Sequence, residues 1–157
     1  MRVDVDASLN HQNNAACGWL PRNSEGQWLQ GFVWNLGNLP IAIAEVHAIN
    51  CGLQLYSSLN FDEARIYSDS LDAINLIYRG VHSDHPFADA ISRVQKTTCA
   101  PRDNKILHIS RDANSCADFL ARMAQGYGSD FTLLIDAPPS YDSLILLDEN
   151  GVNPHMN

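Results

Sequence analysis

The chain opens on alternation: Val3, Val5 and Ala7 fall on one face and Asp4 and Asp6 on the other, the period-two pattern of a strand. The polar run Asn10 to Asn14 reads as a turn. A second strand, Ala15 to Arg22, ends at Asn23-Ser24-Glu25-Gly26, a hairpin connection closed by glycine. A third, Gln27 to Leu36, carries the strong β-formers Trp28, Phe32 and Trp34 and stops at Gly37-Asn38-Leu39-Pro40. Three strands joined by short turns predict antiparallel pairing.

The period then changes. From Ile41 to Leu59, Ala48, Ile49, Gly52, Leu53, Tyr56 and Leu59 recur at helical spacing, with Asn50, Gln54, Ser57 and Ser58 opposite. Residues 62–68 predict a short strand. Ser68-Asp69-Ser70 caps a helix through Ile74, Ile77 and Tyr78 that Gly80 ends. Pro86 takes the first position of another helix, with Phe87, Ile91 and Val94 on one face. Lys105 to Ser110 reads as a last strand and Ala113 to Ala124 as a last helix, with Asp112 as cap and Gly126 as stop. Strand–helix–strand crossovers require parallel pairing, so the order predicts an α/β fold with a mixed sheet flanked by helices. Residues 1–128 form one domain in this reading. Residues 129–157, with Pro138-Pro139 and then Leu144 to Leu147, form an acidic C-terminal tail, docked or mobile and dispensable for the fold.

Composition narrows the chemistry. The 157 residues suffice for one domain. Cys17, Cys51, Cys99 and Cys116 are widely spaced and make no C-x-x-C pair, which fits reduced thiols better than a zinc site or a disulfide framework. No apolar run approaches the ~20 residues a membrane span needs and no signal-peptide pattern opens the chain, so a location inside the cell, nuclear or cytoplasmic, is expected. The net charge of −8 argues against tight binding to a polyanion. Its distribution softens that argument. Residues 130–157 hold five acids and no base, whereas Arg79, Arg93, Lys96, Arg102, Lys105 and Arg111 outnumber Asp84, Asp89 and Asp103 in the stretch from 79 to 111.

Four acids stand where these elements would let them meet, each with an ordinary alternative. Asp6 lies near the end of the first strand; the alternative is an acid entering the turn, where an Asx-turn is common. Glu45 precedes Ala48, Ile49 and Gly52 by three, four and seven residues and so shares their apolar stripe. A carboxylate there costs several kcal/mol unless paired or metal-bound, on the order given for a buried charge; the alternative puts it at the stripe's edge. Asp69 opens a helix, where an acid in the first turn is favourable by itself. Asp118 lies in the last helix, one turn after Asn114, where a solvated acid is common.

Taken together, the segments Val5-Asp6-Ala7-Ser8, Ala44-Glu45-Val46-His47-Ala48-Ile49, Tyr67-Ser68-Asp69-Ser70 and His108-Ile109-Ser110-Arg111-Asp112-Ala113-Asn114-Ser115-Cys116-Ala117-Asp118 resemble the four motifs of type I ribonuclease H. More closely, they resemble the ribonuclease H-like domains of plant retrotransposon-derived proteins. The similarity runs from about residue 2 to about residue 126, with the elements in the family's order.

The resemblance implies a ribonuclease H-like fold, a five-stranded mixed sheet of three antiparallel strands followed by parallel βαβα, flanked by helices. It implies a metal-dependent endonuclease that cuts the RNA strand of RNA–DNA hybrids, with Asp6, Glu45, Asp69 and Asp118 as catalytic carboxylates holding two Mg²⁺ or Mn²⁺ ions. By the same resemblance Asp6 bridges both ions, Asp118 helps hold the water-activating one, and Glu45 and Asp69 hold the leaving-group one. A monomer, or a segment of a larger polyprotein, is expected. The catalytic-loop cation falls to Arg111 or His108. Arg111 sits in the turn before the last helix; His108 reads as strand, with core or sheet-face packing as its ordinary role.

Three departures from the family pattern stand out. Ala7 replaces a glycine. Pro40-Ile41-Ala42-Ile43 replaces polar residues that contact the DNA strand in bacterial-type members. The basic, Trp-containing insertion of some cellular enzymes is absent from residues 79–104. A degenerate domain that binds nucleic acid or protein is therefore the competing function. A 3′–5′ exonuclease would need an Asp-x-Glu in the first strand, which Asp4-Val5-Asp6 does not supply.

Overall fold

The structure, a computed structural model, describes residues 2–58, 65–98, 105–128 and 130–152. Leu59, the first residues of the strand expected from residue 62, Cys99, Arg102 and His155 lie outside the described residues.

The N-terminal alternation forms β1 (Arg2–Leu9), followed by β2 (Asn14–Arg22) and β3 (Gly31–Asn38). Then come α1 (Ile41–Ser58), β4 (Arg65–Ser68), α2 (Leu71–Arg79), α3 (Ala88–Thr98) and β5 (Lys105–His108). A 3-10 turn, Arg111–Ala113, leads into α4 (Ser115–Met123); β6 (Thr132–Leu134) and α5 (Tyr141–Val152) close the described chain. The sheet order is β5-β4-β1-β2-β3-β6. β1, β2 and β3 pair antiparallel, while β4 and β5 add in parallel beside β1. This is the expected mixed α/β sheet with flanking helices.

Six strands stand where five were expected, because β6 pairs antiparallel with the outer edge of β3. β3 begins at Gly31 rather than Gln27. Trp28 instead leaves the sheet line to meet the C-terminal segment. Its indole N–H donates to the Ile135 carbonyl at 2.8 Å and its ring packs edge-on against Tyr141. α3 starts two residues after Pro86, at Ala88, and β5 ends at His108 rather than Ser110.

Each face of the sheet carries its own core. Val3, Val5, Cys17, Trp19 and Ile66 meet Ile49 and Leu53 of α1, Ile77 of α2 and Ile91 of α3 on one side. Ala16, Leu20 and Val33 meet Leu120 of α4 and Tyr141 and Ile145 of α5 on the other. α4 lies directly on β2: a Cβ at Gly18 would stand 2.6 Å from Ala121 N and from Leu120 Cβ, so only glycine permits this approach. Cys17, Cys51 and Cys116 are free and buried. Among the described residues no helix is long and apolar enough to cross a membrane.

Candidate active site

The register of the parallel strands sets the site. Val5 pairs with Ser68, so Asp6 and Asp69 are the residues that follow, on β1 and just past the neighbouring strand β4, at one end of the sheet. Asp6 is not in a turn; it pairs with Gly18 inside β1 and is 3% exposed. Asp69 is not the helix cap either. Ser70 takes that position, its Oγ accepting from Ala73 N–H at 3.2 Å, which leaves the Asp69 carboxylate uncommitted to the helix. α1 crosses the same end and brings Glu45 inward, 5% exposed, where its Oε1 accepts the Ala7 N–H at 3.0 Å. Ala7 thus contributes its backbone N–H to the cluster.

Carboxylate oxygens of Asp6, Glu45 and Asp69 all lie within 4.8 Å of one another. Burial, then the charges of Glu45 and Asp69, drives the Asp6 carboxyl far above its ordinary range. Burial, helped by the charges of Asp69 and Asp118, pushes Glu45 up to about 7. Asp69 is raised as well, chiefly by burial, with the Arg111 charge acting against the rise. Glu45 Oε2 is buried with no hydrogen-bond partner among the described residues. Ionising all three carboxyls together, with one buried oxygen unpartnered, is unfavourable in the metal-free chain, and a cation among them would reverse the sign. All the donors are carboxylate oxygens without Cys or His, which fits a hard cation such as Mg²⁺ or Mn²⁺.

The cluster floors a cavity of about 470 Å³ whose wall includes Asp118, Arg111 and Arg122. Asp118 faces the trio from α4, but its Oδ2 is 2.6 Å from Arg122 Nη2, one turn further along the same helix. Arg111 is exposed on the 3-10 turn at the rim. His108 is also exposed, at the end of β5, and is not among the residues lining the cavity; the core or sheet-face packing expected of it is not its environment.

A family model described as reverse transcriptase-like matches residues 3–124. The chain belongs to the reverse transcriptase-like family. The Arabidopsis thaliana "Putative ribonuclease H protein" is 25% identical over 152 residues, which is 96% of this chain and 24% of the relative's length. Among solved structures, the RNase H1 of the archaeon Halobacterium salinarum aligns with a TM-score of 0.64 at 21% identity, covering 79% of this chain and 96% of that one. The N-terminal RNase H domain of a Mycobacterium tuberculosis protein gives 0.66 at 20%, covering 78% and 92%. LC11-RNase H1, solved in complex with an RNA/DNA hybrid, gives 0.65 at 18%, covering 78% and 94%. At these identities the likeness establishes a ribonuclease H-like fold.

Two further buried residues support the site, Asn114 within the matched region and Asp148 beyond it. Asn114 is fully buried and donates from Nδ2 to the Val5 carbonyl at 3.0 Å, next to Asp6. Asp148, fully buried on α5, accepts from the N–H groups of Ser115 and Cys116. It takes the capping role expected of Asp112, because α4 begins only after the 3-10 turn and Asn114 makes no side-chain cap bond. A signal for Asp148 was present: it follows Tyr141 and Ile145 by seven and three residues, on the apolar stripe of α5.

Proposed function

We propose that the chain is a metal-dependent endonuclease that hydrolyses the RNA strand of RNA–DNA hybrids at the Asp6–Glu45–Asp69 cluster. The observation that carries this reading is the convergence of three carboxylates within 4.8 Å at the floor of an open cavity. The ribonuclease H-like fold, and a neighbour of that fold solved with an RNA/DNA hybrid, point the same way.

Asp6, at the centre of the cluster, would contact both of two divalent ions. Asp118 would complete one site, and Glu45 with Asp69 the other. Two such ions, when bound, activate a water and stabilise the leaving 3′ oxygen. Glu45 is held for its part by the Ala7 N–H, and Asp69 by the strand end, where the Ile109 N–H donates to the Ser68 carbonyl at 2.9 Å. Arg111, at the rim, supplies the cation beside the scissile phosphate. That Arg111 lines the cavity and His108 does not supports Arg111 for the catalytic-loop role. Contacts to 2′-hydroxyls would select the RNA strand.

A second reading has its own observation. Ile41 and Ala42 line the cavity where polar DNA-strand contacts would be useful, and Asp118 is engaged by Arg122. Both favour a degenerate domain that binds nucleic acid or protein without cutting. Cleavage of end-labelled RNA–DNA hybrid in Mg²⁺ and in Mn²⁺ separates the two. Cutting confined to the RNA strand and abolished by EDTA supports the hydrolase. No cutting, together with no thermal stabilisation by either ion, leaves the binding module.

A further inference from the structure

The family match ends at residue 124, yet the chain continues into α5, which reaches the two elements that carry the far wall of the cavity. Asp148 sits on the open N-terminal amides of α4, 3.1 Å from Cys116 N and in contact with Ser115 N. No side chain of α4's own approach caps them. Arg22 Nη1 lies 3.8 Å from the same carboxylate and 2.9 Å from Asp4, tying α5 to β2 and β1 beneath it. Three residues on, Gly151 lies flat against the 3-10 turn. A Cβ there would collide with the Asp112 carbonyl and stand 2.7 Å from Ala113 N, so backbone meets backbone with no room for a side chain. The turn carries Arg111 and α4 carries Asp118, and both line the cavity.

We infer that Asp148 and Gly151 are positioning residues: the C-terminal helix fixes the Arg111 turn and the start of α4, and through them holds Arg111 and Asp118 at the candidate active site. The inference rests on the hydrolase reading. Its effect is read on turnover, because Arg111 and Asp118 act at the reacting phosphodiester. Displacing such groups by about 1 Å costs up to about a hundredfold.

The test uses three full-length variants, with steady-state cleavage of labelled hybrid in Mg²⁺ and amide hydrogen exchange of the metal-free chain. Asp148→Asn is isosteric and weakens the cap. Gly151→Ala wedges α5 away from the turn. Tyr141→Phe removes the Tyr141 hydroxyl bond to the Gly26 carbonyl, 2.8 Å long, at the opposite end of α5, and so loosens the helix without touching the turn. Asp148→Asn and Gly151→Ala should each lower kcat about tenfold or more, and should speed exchange selectively at residues 111–118. Tyr141→Phe should lower the thermal midpoint while sparing kcat and that exchange. If Gly151→Ala does not fold, Asp148→Asn carries the test.

Wild-type exchange at 111–118 in the folded Asp148 and Gly151 variants overturns the inference, whether or not the wild-type chain cuts. So does a loss of kcat in Tyr141→Phe as large as theirs. Faster exchange in an uncut assay upholds the positioning and overturns only the hydrolase.

Discussion

Asp6 and Glu45 are charged groups in a place that would otherwise be core, and their protonation is the first thing to test. A carboxyl whose native pKa lies above its unfolded value holds a proton that the unfolded chain has released. Its stabilising contribution is complete below the ordinary value near 4 and is lost as pH rises through the native one. With Glu45 raised to about 7 and Asp6 raised further, the metal-free protein should lose stability as pH climbs from about 4 past 7. Asp6→Asn should flatten that slope and raise the midpoint in EDTA at pH 7, while abolishing cleavage; Asp69→Asn should abolish cleavage as well. The gain in midpoint on adding Mg²⁺ should shrink in both. Thermal melts across pH with EDTA or Mg²⁺ check this, and a lower midpoint for Asp6→Asn in EDTA would count against a repulsive cluster. Arg122 makes the complementary case. It is two-thirds exposed and pairs with Asp118 at i,i+4, a geometry worth about 0.3–0.5 kcal/mol. Arg122→Ala should therefore leave stability within about 0.5 kcal/mol, yet lower the Mg²⁺ concentration for half-maximal activity, because Asp118 no longer exchanges one cation for another. A higher requirement would show that Arg122 assists the metal site.

At the scale of elements, what could be read from the sequence follows the strength of each periodic signal. β1, α1 and α2 were legible because alternation and the 3.6-residue stripe run long enough to exclude other patterns. Asp6, Glu45 and Asp69 were singled out by the resemblance of their segments to ribonuclease H motifs rather than by periodicity, because each alone had an ordinary alternative. β6 was not legible: it has three residues, and the large apolar side chains in and beside it, Phe131, Leu133 and Ile135, are exposed and give no buried face to recognise. The true cap of α4 was hidden for a different reason. Asp148 acts thirty-three residues away in sequence from Ser115, and capping rules look only at neighbours. Close approach of elements is equally silent in sequence, as Gly18 illustrates. A methyl there would stand 2.6 Å from Ala121 N on α4, and over-packing of this kind costs on the order of 1–3 kcal/mol. Gly18→Ala should lower the unfolding free energy by that amount, read as a lower chemical-denaturation midpoint at unchanged slope. A neutral result would mean that α4 can slide along β2.

For the molecule as a whole, the question is how an acidic chain engages a polyanion and what its C-terminal segment adds. Truncation after Gly128 removes β6 and α5, exposes what Tyr141 and Ile145 cover, and strips the α4 amides of Asp148. The face of the sheet packed by α1, α2 and α3 is untouched, so the truncated chain should still unfold cooperatively, with stability lower by on the order of 3–5 kcal/mol. Loss of the transition altogether would make α5 part of the folding unit. Substrate engagement depends on charge placement rather than on the net value of −8. Arg111 and Arg122 are the cations lining the cavity, and Asp72 lines it too. Each phosphate neutralised releases roughly 0.7–0.9 of a counterion, so two contacts predict a plot of log KM against log salt with a slope of about 1.4–1.8. At saturating hybrid kcat should hardly move, since the carboxylate cluster is buried and screened little by salt. Arg111→Ala should reduce the slope by about one and also slow turnover. A slope well above 3 would place further cations on the nucleic-acid path, and a flat plot would mean that hybrid is held by contacts other than phosphate.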